Sequence, residues 1–306
     1  MRYPHLLMAA AGEVWALQRE KLETVSDFLL FQARGGKYSD AEIEARIGPG
    51  RAQQKPADAP GSISIIPVYG LLAQRMNIMT DISGGTSMET LASDLRAALA
   101  DPDVRTIILE FDSPGGTVRG TQELAAEIHD SRGVKPIIAH INSLAASAAY
   151  WLASQADEVV VTPSGEAGSI GVYTIHEDVS KMLEQEGIKP TIIKAGRNKL
   201  EDHPYGPLSE EAAATIQARV DQSYNTFVRA VARGRRVSVG TVNDRFSQGR
   251  MFGAEELVQR DMADRVATLP QTLERASTLP RAPLRLAAKW PKSGKAWTHS
   301  PKSPIC

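Results

Sequence analysis

Serine, lysine and paired glycines, the residue types of a small nucleophilic site, are grouped in three short segments, each following a strand-like run. The first is Asp112-Ser113-Pro114-Gly115-Gly116, after RTIILEF and before a helical stretch. A glycine pair there permits unusual dihedrals and leaves amide N–H groups uncovered at a helix start, where they can hold an oxyanion or a phosphate. A plain tight βα turn reads the same way. The pattern is neither GxGxxG nor a Walker loop, since no Gly-Lys-Ser/Thr follows, so nucleotide binding is not expected.

The second segment, Asn142 to Trp151 (NSLAASAAYW), starts where the strand-like PIIAHI ends and places four alanines around Ser147. A nucleophilic serine needs a sharp strand-to-helix turn with little side-chain bulk, so that Oγ projects and an acyl group can approach. An Ala-rich helix start with its serine bonded to backbone is the commoner meaning of such a run. Ser143, nearer the strand end, reads as a turn or cap residue. The third segment is Lys194 to Asp202 (KAGRNKLED), after the strand-like PTIIK. A lysine serves as base for a serine only when neutral. Bringing its pKa from about 10.4 to near 7 takes roughly 4.6 kcal/mol of differential interaction. Burial or a neighbouring positive charge can supply that. Lys199, framed by Arg197, Glu201 and Asp202, is not desolvated by its sequence neighbours, so its burial would have to come from tertiary or subunit contacts; an isolated lysine is ordinarily a solvated surface charge.

Gly168-Ser169-Ile170-Gly171-Val172 supplies a further turn beside the same crevice, with Ser169 able to donate or accept a hydrogen bond. A Ser-His-Asp triad is the commoner design. His176, with Asp178 and Asp202 further on, is therefore the alternative base, whereas His129 and His140 read as structural. No His/Asp/Glu group has metal-ligand spacing, HEXXH is absent, and no metal is expected.

Strands alternating with helices position these segments. Ile63–Val68, Arg105–Phe111, Pro136–Ile141, Glu158–Thr162 and Pro190–Lys194 read as strands. Met88–Ala100, Thr117–Ser131, Ser147–Gln155 and Glu177–Glu186 read as helices. That rhythm means βαβ crossovers and a mostly parallel sheet, whose ligands bind beyond the strands' carboxyl ends. Ser209 caps a long helix running to about Arg233, where Gly234 can end it. Shorter helices follow at Ser238–Phe246 and Ala254–Arg260, then a strand-like ADRVATL. Before the alternation, residues 1–48 read as a helical segment with an apolar stripe including Trp15, Leu17, Leu22 and Val25, and residues 49–61 as a Pro/Gly/Ala-rich linker. Residues 62–279 form the expected main domain. Residues 280–306 read as a disordered Pro-rich tail.

Of the 306 residues, 42% are hydrophobic and 23% charged, a globular composition. The net charge of −1 argues against a dedicated nucleic-acid binder. It conceals an asymmetry. Residues 1–279 hold 29 basic against 36 acidic residues and carry −7, while Arg281, Arg285, Lys289, Lys292, Lys295 and Lys302 give the tail +6. The tail is thus the one candidate for contact with acidic protein or DNA, a solvated spacer being the simpler reading. The single cysteine, Cys306, excludes a disulfide framework and a cysteine-based zinc site. No apolar run has membrane-spanning length, and no membrane partner is expected.

Taken in order, DSPGG after a strand, AASAAYW some thirty residues on, then GSIGV, GRNK and the closing GRMFGAEELVQRDMADRV resemble the serine peptidases of the signal peptide peptidase A family. The resemblance covers roughly residues 62–268 and is greatest to the phage-type capsid-assembly or prohead proteases. It implies the α/β fold of the Clp protease and crotonase superfamily, without cofactor. It also implies a polypeptide substrate, such as capsid or scaffold protein cut during head maturation in the bacterial cytoplasm or prohead. Carried over by position, the nucleophile falls on Ser147, the lysine base on Lys199, the oxyanion-hole glycines on Gly115 and Gly116, and the lysine-orienting serine on Ser169. The sequence departs from many members in having Ala148-Ala149 and Leu200 after the nucleophile and the base. The resemblance further implies a homo-oligomeric ring in which serine and lysine meet across a subunit interface. Other expectations are a host signal-peptide or quality-control peptidase, a non-catalytic assembly protein that keeps the fold, and a crotonase-type acyl-CoA enzyme.

Overall fold

The long apolar runs RTIILEF, PIIAHI and EVVV have no alternation of polar and apolar residues, which is the mark of strands covered on both faces. In a computed structural model that describes residues 14–18, 57–59, 62–75, 85–246 and 248–279, they are the centre of a sheet. Strand β1 is Trp15–Leu17, β2 Ala57–Ala59, β3 Ile63–Ala73, β4 Thr86–Ser87, β5 Thr106–Thr117, β6 Ile137–Ala146, β7 Glu158–Val161, β8 Glu166–Gly168, β9 Met251–Gly253 and β10 Arg265–Val266. The main path runs β10-β7-β6-β5-β3-β2. The pairs from β10 through β3 are all parallel; β2 on β3, β1 on β5 and β9 on β8 are antiparallel.

Helices α1 (Met88–Ala100), α2 (Thr121–Asp130), α3 (Ala148–Ala153), α4 (Ser180–Gln185), α5 (Glu210–Arg235), α6 (Val239–Arg245), α7 (Ala254–Gln259) and α8 (Leu269–Thr278) complete the described chain. The start of α1 is fixed by Ser87, whose Oγ accepts from Thr90 N at 3.3 Å, and the helix buries Met88, Leu91, Ala92, Leu95 and Ala98 along one stripe. Thr268 and Gln271 form a reciprocal capping box on α8. One large core joins β3, β5, β6 and β7 to α1, α2, α3 and α5, with Trp151 of α3 stacked on Phe227 of α5 at 4.5 Å between ring centroids. The opposite face holds a smaller cluster of Ile63, Ile108, Ile138, Val160, Ala267 and Ala276, closed by α8. No described helix is long and apolar enough to cross a membrane.

Five expectations are corrected. Trp15 and Leu17 lie in a strand rather than on a helical stripe, and Ala57–Ala59, expected in a linker, pairs with β3; the remainder of 1–61 lies almost wholly outside the described residues, as does the tail from 280. Gly115-Gly116 is not a turn at a helix start. The strand β5 continues through it to Thr117, and α2 begins only at Thr121. Pro190–Lys194 forms no strand, because in the single chain it has no neighbouring strand to complete its hydrogen bonds among the described residues. Gly234 does not end α5, which runs to Arg235 with Arg236 left-handed behind it (φ 58°). Gly234 instead permits close packing: a Cβ there would stand 2.2 Å from the Ser154 carbonyl oxygen.

Candidate active site

Two irregularities in the sheet build the site. Between β5 and β6 the register passes from Phe111↔Ile141 to Ser113↔Ala145, so β6 takes four steps while β5 takes two. Ser143 absorbs the excess with φ 99°, and its hydroxyl donates to Asp112 Oδ1 at 3.3 Å. Between β3 and β5 a second shift follows Tyr69, at Gly70 with φ 64°. Bulges of this kind bend a strand and re-aim its side chains. Here they carry Ala145, Ala146 and Ser147 up beside the glycine pair.

Ser147 stands between β6 and α3 at φ 54°, ψ −116°, a conformation that L-residues rarely adopt, and its side chain is buried. Strain of order 1–3 kcal/mol persists only where the surroundings enforce it. Its backbone is held on both sides, since Ser147 N donates to the Gly168 carbonyl at 2.9 Å and Trp151 N donates to the Ser147 carbonyl at 2.9 Å. The Oγ donates to the Gly171 carbonyl at 3.3 Å. Ala145, Ala146, Ala148 and Ala149 are all fully buried, which leaves no room for larger side chains around the elbow.

The two glycines face different neighbours. A Cβ on Gly115 (φ 103°) would stand 2.9 Å from Ala146 O and 3.1 Å from Ala148 N, so this bare Cα borders the turn at Ser147. Its amide donates to Ser113 Oγ at 3.2 Å, while that hydroxyl donates to the Gly70 carbonyl at 2.6 Å. A Cβ on Gly116 would stand 1.8 Å from the Leu72 carbonyl oxygen, so Gly116 lets β3 and β5 approach. Ser169, at φ 53°, follows the residue that receives the Ser147 amide, and its own N–H donates to the Arg250 carbonyl at 2.7 Å.

Lys199 is placed differently. Every residue from 184 to 200 is exposed, and Lys199 sits in a turn in which its amide donates to the Gly196 carbonyl at 3.2 Å. No hydrogen bond joins it to Ser147 among the described residues. The same stretch exposes Ile188, Ile192, Ile193 and Leu200, with Ile193 at 93%. The alternative triad is not assembled either. His176 Nε2 lies 3.3 Å from the Gly206 carbonyl, Asp178 accepts from Ser180 N, and Asp202 lies 3.8 Å from Arg219. No group of three metal-ligating side chains occurs among the described residues.

Several supports of the site lie outside the segments that stand out in the sequence. Tyr69 Oη donates to Glu110 Oε2 at 2.6 Å and Asn142 Nδ2 donates to Glu110 Oε1 at 2.7 Å, tying the bulged ends of β3, β5 and β6 together. Beside Glu110, His140 is buried in the sheet, with Thr272 Oγ1 3.3 Å from its Nδ1, and desolvation lowers its pKa to about 4, keeping the ring neutral. Arg132 binds the far end of α3, donating to the carbonyls of Ser154, Gln155 and Ala156 and to that of Gly234 in α5. Asn142 and Glu110 are the ordinary polar residues of strand ends, so no signal in the sequence singles them out.

A family model described as Peptidase family S49 matches residues 129–282. Capsid assembly protease C of Escherichia phage lambda is 32% identical over 215 residues, covering 70% of this chain and 48% of that protein. The head-tail preconnector protein GP5 of Enterobacteria phage P21 is 31% identical over 224 residues, covering 73% and 44%. Protease 4 of Salmonella typhi is 27% identical over 226 residues, covering 73% and 35%. The chain thus spans about half the length, or less, of these curated relatives.

Proposed function

The chain belongs to peptidase family S49, and from that premise we propose that it is a serine endopeptidase in which Ser147 is the nucleophile and Lys199 the general base. The observation that carries this reading is the strained, buried elbow at Ser147, set against the bare Cα of Gly115 and the amide of Ala148. Neutral Lys199 takes the proton from Ser147 Oγ as Oγ bonds to the scissile carbonyl carbon. Lysine then protonates the leaving nitrogen as the C–N bond breaks. Water, giving a proton to Lys199, attacks the acyl ester, and Lys199 returns that proton to Ser147 Oγ as the Oγ–C bond breaks. The amides of Gly115 and Ala148 hold the oxyanion, while Gly116 keeps β5 in place against β3. The Gly115 amide rests on Ser113 Oγ through a long bond, which a charged oxygen displaces readily. Ser169 orients the lysine.

The base must come to the serine from elsewhere. The exposed, isoleucine-rich stretch 188–200 would bury its apolar side chains against a second protomer, desolvating Lys199 in the same step. The active form is accordingly a homo-oligomeric ring, and its substrates are proteins of the phage head, as the names of the lambda and P21 relatives suggest. A serine-reactive phosphonate should label Ser147, and Ser147→Ala should abolish the label. Mixing Ser147→Ala with Lys199→Met should restore cleavage that neither variant has alone. Incubation with capsid or scaffold protein, followed by mass spectrometry of new termini, identifies the substrate. Two fully active single variants would overturn the dyad.

A further inference from the structure

On one edge of β5, the partner β3 continues through Leu71↔Gly115 and Leu72↔Gly116. On the other edge, β6 leaves after Ser113↔Ala145 and turns into the elbow at Ser147, so the main chain of Gly115–Thr117 is open there. That opening is filled by the chain itself. Strand β1 runs antiparallel to it with Trp15↔Thr117, Ala16↔Gly116 and Leu17↔Gly115, extended by Val118 N donating to the Val14 carbonyl at 3.2 Å and Gln18 N donating to the Pro114 carbonyl at 3.1 Å. Its other edge is paired as well. Trp15 N donates to the Tyr173 carbonyl at 2.8 Å, and Tyr173 N donates back to the Trp15 carbonyl at 3.0 Å.

We propose that Val14–Gln18 is an internal occupant of the peptide-binding slot, an extended segment that closes the site until a substrate strand displaces it. The inference rests on Ser147 being the nucleophile and goes beyond that reading. A point one bond length from the Cα of Gly115 lies 2.3 Å from the Ala16 carbonyl oxygen and 3.1 Å from Ala148 N, so the occupant's backbone enters the space where a scissile carbonyl must be received. An extended peptide gains affinity by completing a sheet edge and specificity from alternate side-chain pockets. Trp15 and Leu17 pack with Leu71 and Tyr173, and Ala16 points into the main core. The slot therefore takes a bulky apolar, a small and a bulky apolar residue in succession.

The test follows phosphonate labelling of Ser147 in the full-length protein. Ala16→Pro removes the N–H that the antiparallel alternation directs at Gly116, and should speed labelling about tenfold. The peptide GEVWALQR (residues 12–19), added in trans, should slow labelling of that variant, and the same peptide with both bulky residues changed to serine should not. Equal labelling of wild type and Ala16→Pro, or no protection by the peptide, overturns the occupant. A variant that fails to fold leaves a measurement on the wild type. After labelling with a tripeptidyl phosphonate, the amides of Trp15, Ala16 and Gln18 should lose hydrogen-exchange protection, and unchanged protection on a fully labelled protein overturns the proposal. If Ser147 is labelled in neither protein, the nucleophile assignment itself falls, and the occupant with it.

Discussion

The elbow at Ser147 and the turn at Lys199 differ in almost every physical respect. The first is buried, strained and held by backbone bonds from β8, by its own helix and by Arg132 behind it. The second is part of a solvent-covered run with no strand partner among the described residues. One chain can hold a serine and the amides beside it at fixed geometry because a sheet supplies rigid neighbours. It cannot dry a lysine on an exposed turn. The contrast separates what folding of the single chain provides from what the proposed association would add.

The largest effect to test that division is Ser147→Ala, which should lower peptide cleavage by about 10⁴-fold or more while leaving the melting transition nearly unchanged. Lys199→Met should lower kcat by about 10³-fold, within the usual range for a lost general base, and change protomer stability by less than about 0.5 kcal/mol. A large stability loss from this second variant would place the lysine in the protomer's own packing and break the comparison. Gly234→Ala, on the buried side, should destabilise by about 2–3 kcal/mol in denaturant titration, because its new Cβ meets the Ser154 carbonyl at the end of α3.

The pH dependence of folding should come from the buried side too. His140 has its pKa lowered to about 4 in the fold, against about 6.5 in the unfolded chain. The unfolded state therefore binds the extra proton first, and stability falls as pH drops from 6.5 toward 4, by at most about 3 kcal/mol for this group. His140→Gln should flatten that slope in melts between those pH values. The smallest effect on the protomer belongs to Ile193→Ser, within about 0.5 kcal/mol. In sedimentation the same change should weaken association, and an unaltered oligomer would remove the exposed stretch from the interface.

What could be read in the sequence divides along similar lines. Met88–Ala100 is legible as a helix because its cap, apolar spacing and end are all local. The parallel centre is legible because strands buried on both faces leave continuous apolar runs. Ile192-Ile193 reads as strand for the same reason, yet a strand needs a partner, which no local pattern reports. Trp15–Leu17 fails in the opposite direction. Its three apolar residues fit a helical stripe, and only an edge opened by the departure of β6 makes them a strand. At the candidate site, the residue types and their order are visible, whereas the bulges that bring Ala145 against Ser113 depend on register. The different duties of Gly115 and Gly116 are invisible in one dimension, since both follow from which backbone lies opposite.

The support of Ser147 by β8 has a consequence for synthesis. Gly168 receives the Ser147 amide, and β8 is itself paired with Met251–Gly253, while the neighbouring Ser169 amide is received by Arg250. A nascent chain exposes Ser147 before β8 exists, and β9, the strand that pairs with β8, is made far later still, at Met251–Gly253. Pairings between segments distant in sequence are also slow to form. The turn that confines the Ser147 hydroxyl is thus complete only late in translation, when most of the domain around it has been made.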